Sequence, residues 1–181
     1  MILRPFRRSA ENSTIAGLYG MIVAQARRAT FYANYGVRDT LEGRFDLIVL
    51  HLVLVLRRLA ELQQGSRLGQ RLFDRFCQDL DDNLREMGIG DLAVPKHMRR
   101  FGEAFYGRQA AYLRALDAAD QRDFENALAR NMLKGAGSDG VARLARYARA
   151  VIGELDAQEE GALMCGELAF PDPEAFADAR T

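Results

Sequence analysis

The chain has 181 residues and a mass of 20.3 kDa, the size of one domain that can bury a core of its own. Its composition, 49% hydrophobic and 28% charged with four prolines, excludes a disordered chain and a collagen-like repeat. The 25 basic and 25 acidic side chains cancel, so any attraction to nucleic acid or anionic lipid must be local. Cys77 and Cys165 form neither a CxxC pair nor a disulfide framework, which favours free thiols in a reducing compartment.

Apolar residues recur with a period near 3.6 along most of the chain, which predicts an all-α fold. A first amphipathic helix is expected to start after an N-cap at Asn12 or Ser13. Its apolar side chains are spaced by helical intervals: Ile15, Leu18, Tyr19, Ile22, Val23 and Ala26. The polar and aromatic segment from Phe31 to Gly43 predicts a connection to the next helix.

Residues 47–56 are all Leu, Ile or Val except for His51. Ten helical residues rise only about 15 Å, whereas a membrane-spanning helix needs about 20 apolar residues. The segment therefore predicts a central helix that is apolar all round because its neighbours cover it. Within such a helix, His51 is expected to be a core histidine with satisfied hydrogen bonds rather than a ligand or an acid–base group.

Glycines and prolines divide the next part of the chain into further helices. A turn at residues 65–69 precedes a third helix that Gly88 ends, and Pro95 opens a fourth. A shorter helix near residues 124–132 and, after a loop at residues 135–140, a last long helix complete the pattern.

These elements predict a single-domain bundle of about six to seven helices over residues 1–160. The helical pattern weakens beyond residue 160, where Pro171 and Pro173 also disfavour a continuous helix. We therefore expect residues 161–181 to form an acidic, partly extended C-terminal tail.

Charge is unevenly distributed although it sums to zero. Residues 95–116 hold five basic side chains against Glu103, whereas residues 151–181 hold eight acidic side chains against Arg180. One interpretation is that the acidic tail is solvated and partly neutralises the basic helices. The other makes the basic helix a docking surface for a ribosome, RNA or anionic lipid head groups. The cations of that helix are Lys96, Arg99, Arg100, Arg108 and Arg114.

Signatures of catalysis are few. The two histidines have no second ligand at metal-binding spacing, and no glycine-rich phosphate loop follows a strand, so we expect no metal and no cofactor. Asp79, Asp82 and Glu86 form an acidic patch on one helix face, predicted to lie opposite Phe76 and Leu80. Helical isoprenoid synthases hold Mg²⁺ and a pyrophosphate with aspartate-rich helices, so a prenyl-diphosphate-binding enzyme is one alternative. A solvated face paired with neighbouring arginines is the other.

Three blocks within about residues 17–116 form a more specific pattern. The first runs through Leu18-Tyr19-Gly20, Ala24-Gln25-Ala26-Arg27 and Phe31-Tyr32. The second comprises Asp39-Thr40, Gly43-Arg44-Phe45-Asp46, Leu50-His51 and Arg57-Arg58-Leu59. The third comprises Asp82-Asn83-Leu84-Arg85-Glu86-Met87-Gly88, Gly90-Asp91, Val94-Pro95-Lys96 and Tyr106-Gly107-Arg108. In order and content these blocks resemble the ubiquinol–cytochrome c chaperone family, whose mitochondrial members assist assembly of cytochrome b into the bc1 complex.

The resemblance implies a non-catalytic assembly factor that binds newly made cytochrome b until haem or partner subunits arrive. A helical protein can shield the apolar surface of such a client with an apolar groove. The blocks mix aromatic side chains with arginines, a composition typical of interfaces. The partner-binding residues that the resemblance points to are Arg27, Phe31, Tyr32, Asp39, Arg44, Phe45, His51, Arg57, Asp82, Arg85, Glu86, Lys96, Tyr106 and Arg108.

Ion pairing is the alternative role for Arg44, Asp39, Arg85 and Glu86, which would then orient helices instead of contacting a client. The basic start is shorter than a mitochondrial presequence, so the resemblance favours a bacterial form. The first eight residues hold no apolar stretch of signal-peptide length. We therefore expect a cytoplasmic protein, peripheral at the inner face of the cytoplasmic membrane, with no DNA partner.

Overall fold

A computed structural model of the chain describes residues 3–133 and 137–177. Its elements are α1 Leu3–Ala26, α2 Thr30–Asn34, α3 Leu41–Glu61, α4 Gly65–Glu86, α5 Val94–Asp117, α6 Arg122–Asn131, α7 Ser138–Ala157, α8 Glu160–Cys165 and a 3₁₀ helix, Pro173–Phe176. The described residues contain no β-strand, and the prediction of an all-α, single-domain bundle is confirmed. The six longer helices form the bundle, and α2, α8 and the 3₁₀ helix are short additions. Residues 135 and 136 of the predicted loop and residues 178–181 of the predicted tail lie outside the described residues, and α7 begins at Ser138, within the predicted loop.

Helix α3 is the central element, as its composition predicts. It packs against α1, α4, α5 and α7, and every side chain from Leu47 to Val55 except Ile48 is buried. At its start, Thr40 is the N-cap and its hydroxyl accepts a hydrogen bond from the Gly43 N–H at 3.1 Å. None of the helices in the described ranges is both long and apolar enough to cross a membrane.

Glycine is required at position 43 because two backbones approach closely there. A Cβ atom on Gly43 would lie 2.1 Å from the carbonyl oxygen of Arg38, a distance that no side chain can occupy. The turn before α3 can therefore fold tightly against the helix, which fixes where α3 begins.

Two boundaries near the N-terminus differ from prediction. Helix α1 begins at Leu3 and not after Asn12 or Ser13, and Asn12 accepts a hydrogen bond from Arg71 of α4 instead of capping its own helix. Residues 30–34 of the predicted connection form the short helix α2. Packing explains the formation of α2, because its Phe31 is wholly buried against aromatic rings of the core.

The C-terminal residues 166–177, which we call the C-terminal strap, lie against the bundle. The carboxylate of Asp172 is 2.8 Å from the guanidinium of Arg28, and the Tyr35 hydroxyl donates a 2.6 Å hydrogen bond to the carbonyl of Pro173. Phe170 packs edge-on against His51, with the ring centroids 5.4 Å apart. The predicted boundary after residue 160 falls at the start of α8. The acidic side chains Asp172 and Glu174 of the strap thus pair with Arg28, between α1 and α2, rather than with the basic helix α5.

The prediction for His51 is confirmed, since it is fully buried with both ring nitrogens hydrogen-bonded. Its Nδ1 lies 2.8 Å from the Leu47 carbonyl, which can only accept, so Nδ1 carries the proton. Its Nε2 then accepts from the Tyr147 hydroxyl at 2.8 Å, and that hydroxyl oxygen accepts from the Gln25 amide at 2.8 Å. This chain of hydrogen bonds joins α1, α3 and α7.

Acidification is expected to weaken the fold through His51. Burial lowers the pKa of His51 from 6.5 to about 4, so between these values the unfolded chain binds the proton more readily than the folded one. The free energy of unfolding should therefore fall by about 1.4 kcal/mol per pH unit below pH 6.5. Urea denaturation at pH 7, 6 and 5 measures this slope. It should flatten in His51→Gln but not in His97→Gln, and an unchanged slope in His51→Gln would contradict the prediction.

Candidate functional site

A groove of about 540 Å³ with a mostly apolar lining lies between α3, α4 and α5, with the end of α1 at its border. Apolar side chains line it: Leu41, Phe45, Ile48, Phe76, Leu80, Leu84, Met87, Phe101 and Ala104. We call this feature the apolar groove. The ring of Phe45 lies 5.1 Å from that of Phe101 and 6.1 Å from that of Phe76, so aromatic contacts hold the three helices together beneath it.

Two side chains at the border of the apolar groove are exposed to an unusual degree for their type. Leu41, at the start of α3, is 71% exposed, and Met87, at the end of α4, is 61% exposed. Both line the opening. Large apolar side chains in water beside an apolar depression mark a binding surface, and a methionine adapts readily to different occupants.

Four arginines surround the apolar groove, and two of them are held by carboxylates. Arg44 contacts Asp39 at 2.8 Å in an exposed pair. Arg108 contacts Asp46 at 2.7 Å in a pair that is nearly buried, the two side chains being 15% and 4% exposed. The Arg108 guanidinium also lies 5.7 Å above the centre of the Phe45 ring, so it forms part of the aromatic wall.

Arg27 and Arg100 are the other two arginines at the groove, and both are exposed. Within residues 11–133 and 137–177, whose side chains the structure describes, neither forms an ion pair with a carboxylate. The groove therefore combines an apolar floor with two cations whose charges are not locally matched.

Asp79 lies on the groove side of α4. Its carboxylate accepts a 2.9 Å hydrogen bond from the Tyr19 hydroxyl; burial and then this bond raise the pKa of Tyr19 above its usual value. Because Asp79 lines the same opening as Phe76 and Leu80, the predicted acidic face opposite these residues is wrong.

The other two members of the acidic patch, Asp82 and Glu86, are exposed and do not line the apolar groove. They follow Asp79 by three and seven positions, so all three lie on one side of α4, but only Asp79 is engaged by Tyr19. The described residues contain no group of three His, Cys, Asp or Glu side chains that could hold a metal ion.

The structure gathers part of the predicted partner-binding set at the groove. Arg27, Arg44, Phe45 and Arg108 line it, and Asp39 lies beside it as the partner of Arg44. A further member borders the same region, because the half-buried Tyr32 donates to the carbonyl of Ala26 at 3.2 Å.

Other members of the set lie elsewhere on the surface. Arg57, on the opposite end of α3, is 3.4 Å from Asp156 of α7. Arg85 is 2.6 Å from Asp81 of the same helix and also pairs with Asp91 in the turn that follows α4, so it forms ion pairs but joins no two helices. Lys96 and Tyr106 are exposed along α5 and do not line the groove.

Two residues of the predicted partner-binding set are not exposed at the surface. Phe31 and His51 are both 0% exposed, and their rings pack against each other with centroids 5.6 Å apart. The prediction that Phe31 and His51 contact a partner directly is therefore wrong, because the core encloses both side chains on the side of α3 that faces α7 and the strap.

Sequence reasoning missed several residues that build the groove, notably Ile48, Phe101 and Arg100. It also missed that Asp46 anchors Arg108. A signal for Asp46 exists, since it is an acidic residue one position before the apolar run of α3 and lies on a buried face. A buried acid of this kind needs a cationic partner, but the sequence does not say which helix supplies it.

Comparison with known proteins now decides the family. The sequence model of the family described as Ubiquinol-cytochrome C chaperone matches residues 33–170. The chain belongs to this family. The resemblance seen in the sequence is thereby confirmed, as is the prediction of a chaperone rather than an enzyme.

Two relatives of this ubiquinol–cytochrome c chaperone are informative. The Cbp3 homolog from the bacterium Brucella abortus, whose crystal structure is known, is 37% identical to this chain in sequence. The two structures superpose with a TM-score of 0.85 over 96% of this chain and 98% of the Brucella chain. The ubiquinol-cytochrome-c reductase complex assembly factor 1 of Xenopus laevis is 26% identical over 157 residues, which make up 84% of this chain and 78% of the relative. The whole helical bundle is therefore shared, including the helices around the apolar groove.

Removing the buried carboxylate of Asp46 should destabilise this chaperone strongly. Asp46→Asn leaves the charge of Arg108 without its 2.7 Å partner, and breaking one side of a buried pair costs roughly 3 to 5 kcal/mol. Asp39→Asn, in the exposed pair with Arg44, should cost less than about 1 kcal/mol. Urea denaturation of both variants measures the difference, and equal losses would contradict the prediction.

Proposed function

We propose that this chain is an assembly chaperone of the cytochrome bc1 complex that holds newly made cytochrome b in its apolar groove. The observation that carries the proposal is the groove itself, with its aromatic floor, exposed Leu41 and Met87 and surrounding arginines. Family membership supports a role in bc1 assembly, and the chemistry of the groove supports an apolar client.

A client made of membrane-spanning helices exposes apolar surface whenever it is outside a bilayer, and that surface must be covered to prevent aggregation. An opening of about 540 Å³ covers a stripe of side chains on one helix rather than a whole helix. The chaperone would thus hold one segment of cytochrome b and release it by exchange for haem or partner subunits.

The ribosome or membrane alternative, through helix α5, finds less support. Of the five cations on residues 95–116, Arg108 turns inward to Asp46 and Arg99 lies 3.8 Å from Glu103. Arg114 donates to the carbonyl of Ala110 one turn before it. The helix therefore presents a broken positive surface instead of a continuous one, and a position at the inner face of the membrane stays a prediction.

The proposal is tested by capture of cytochrome b during cell-free translation. In the double variant Leu41→Glu/Met87→Glu, two charges enter the border of the groove at positions that are already exposed, so the fold should survive. We expect the amount of cytochrome b retained on the tagged chaperone to fall at least fivefold, because burying an unpaired carboxylate against apolar surface is costly.

The matched control is Leu92→Glu. Leu92 is 99% exposed and does not line the groove. This variant therefore introduces a Leu-to-Glu change outside the proposed client site and should capture cytochrome b normally. Melting temperatures of all three proteins exclude unfolding as the cause. Normal capture by the double variant would overturn the groove as the client site.

A further inference from the structure

The charges around the apolar groove do not balance locally. Arg44 and Arg108 are paired with Asp39 and Asp46, whereas Arg27 and Arg100 stay exposed and without an ion pair to any carboxylate that the structure describes. These two come from different parts of the chain, since Arg27 directly follows the end of α1 and Arg100 lies in the second turn of α5. The same apolar floor is thus bordered by a cation from each.

The acids at the groove do not offset these cations. Asp79 accepts from Tyr19 at 2.9 Å and lies 3.8 Å from the guanidinium of Arg75, so its charge is already matched. Glu42 is exposed in the first turn of α3, where the helix dipole stabilises its carboxylate. Two exposed guanidiniums without an ion pair thus line the groove together with one such carboxylate.

We propose that the apolar groove selects helical segments that place a carboxylate beside an apolar stripe, and that Arg27 and Arg100 pair with this carboxylate. The inference rests on the proposed function, because it specifies the segment of a client that the groove accepts. Arginine suits the task since its planar fork binds a carboxylate through two hydrogen bonds.

The size of the groove defines the apolar part of this segment. A cavity of about 150 Å³ holds one benzene-sized group, so an opening of about 540 Å³ takes roughly three or four large side chains. On a helix these are the side chains at i, i+3 or i+4, and i+7. Leu41 and Met87, exposed at the border, would then close over the stripe, and the carboxylate would lie at its edge, within reach of an arginine.

The paired charge gives specificity in addition to affinity. Apolar surface alone would accept any hydrophobic helix. A carboxylate in a partly desolvated groove, by contrast, is attracted more strongly to a guanidinium than it is in bulk water. A segment carrying a lysine at the same position would instead meet like charge, which costs binding energy.

The test uses three labelled synthetic peptides of 15 residues that differ at one position. Each has leucines at i, i+4 and i+7, and one residue a turn beyond the last leucine is Glu, Gln or Lys. Fluorescence anisotropy with the full chain measures the dissociation constants. We expect the Glu peptide to bind five- to tenfold more tightly than the Gln peptide at low salt, and the Lys peptide to bind most weakly. The advantage of Glu should shrink at 0.5 M salt because screening weakens exposed ion pairs.

Variants assign the effect to the two arginines. In Arg27→Gln/Arg100→Gln the Glu peptide should bind no more tightly than the Gln peptide, while the affinity for the Gln peptide is unchanged. Arg114→Gln, on the same helix as Arg100 but away from the groove, is the matched control and should retain the full preference. The charge-reversed variant Arg100→Glu should prefer the Lys peptide.

Each other outcome counts against the inference in a distinct way. Equal binding of all three peptides, or no binding of any, overturns selection by charge but leaves the proposed function standing if the Leu41→Glu/Met87→Glu variant still loses cytochrome b. Normal cytochrome b capture by that variant overturns the proposed function itself. A dimer in sedimentation that the same double variant dissociates would show that a second copy of the chain covers the groove, and this also overturns the inference.

Discussion

The ion pair between Asp46 and Arg108 is the contact on which the rest of the site depends. It joins α3 to α5 at 2.7 Å with almost no exposure to water, and the same guanidinium donates to the carbonyl of Asn131 at the end of α6. Removing two charges from water is expensive, and their attraction compensates only when the geometry is good. Breaking one side of such a pair would leave a buried charge uncompensated, so the pair holds α3 and α5 together beside the apolar groove.

Once α3 and α5 are held in this way, the aromatic residues cannot close the groove by collapsing into it. Arg108 lies over Phe45, and Phe45 in turn packs against Phe76 of α4 and Phe101 of α5. Cores normally fill such spaces, so an opening of this size with apolar walls means that the fold leaves apolar surface in water. A protein that binds an apolar client gains from this arrangement, because the binding surface exists before the client arrives.

The sequence predicts what depends on local pattern and misses what depends on distant contacts. Local composition identifies the buried run of α3 and the core position of His51, and the helix-start preference of proline identifies the helix that Pro95 opens. The predicted start of α1 was wrong, since Asn12 lies inside the helix and accepts from Arg71, and α2 was missed because its Phe31 packs into an aromatic core that is distant in sequence. For the site, Arg44 and Phe45 followed from the resemblance. The pairing of Asp46 with Arg108, 62 positions along the chain, carries no local signal.

Helix α3 contributes to the groove with one side and is anchored in the core by the others. Leu41, Phe45 and Ile48 lie along its groove side, whereas His51 on another side is fixed by hydrogen bonds to Leu47 and Tyr147. The C-terminal strap closes over that second side through Phe170. The helix is thus anchored away from the groove by contacts that a client does not touch. Under the proposed function, binding would require little ordering of the chaperone, so the free energy of the contacts would go into affinity and discrimination rather than into folding the site.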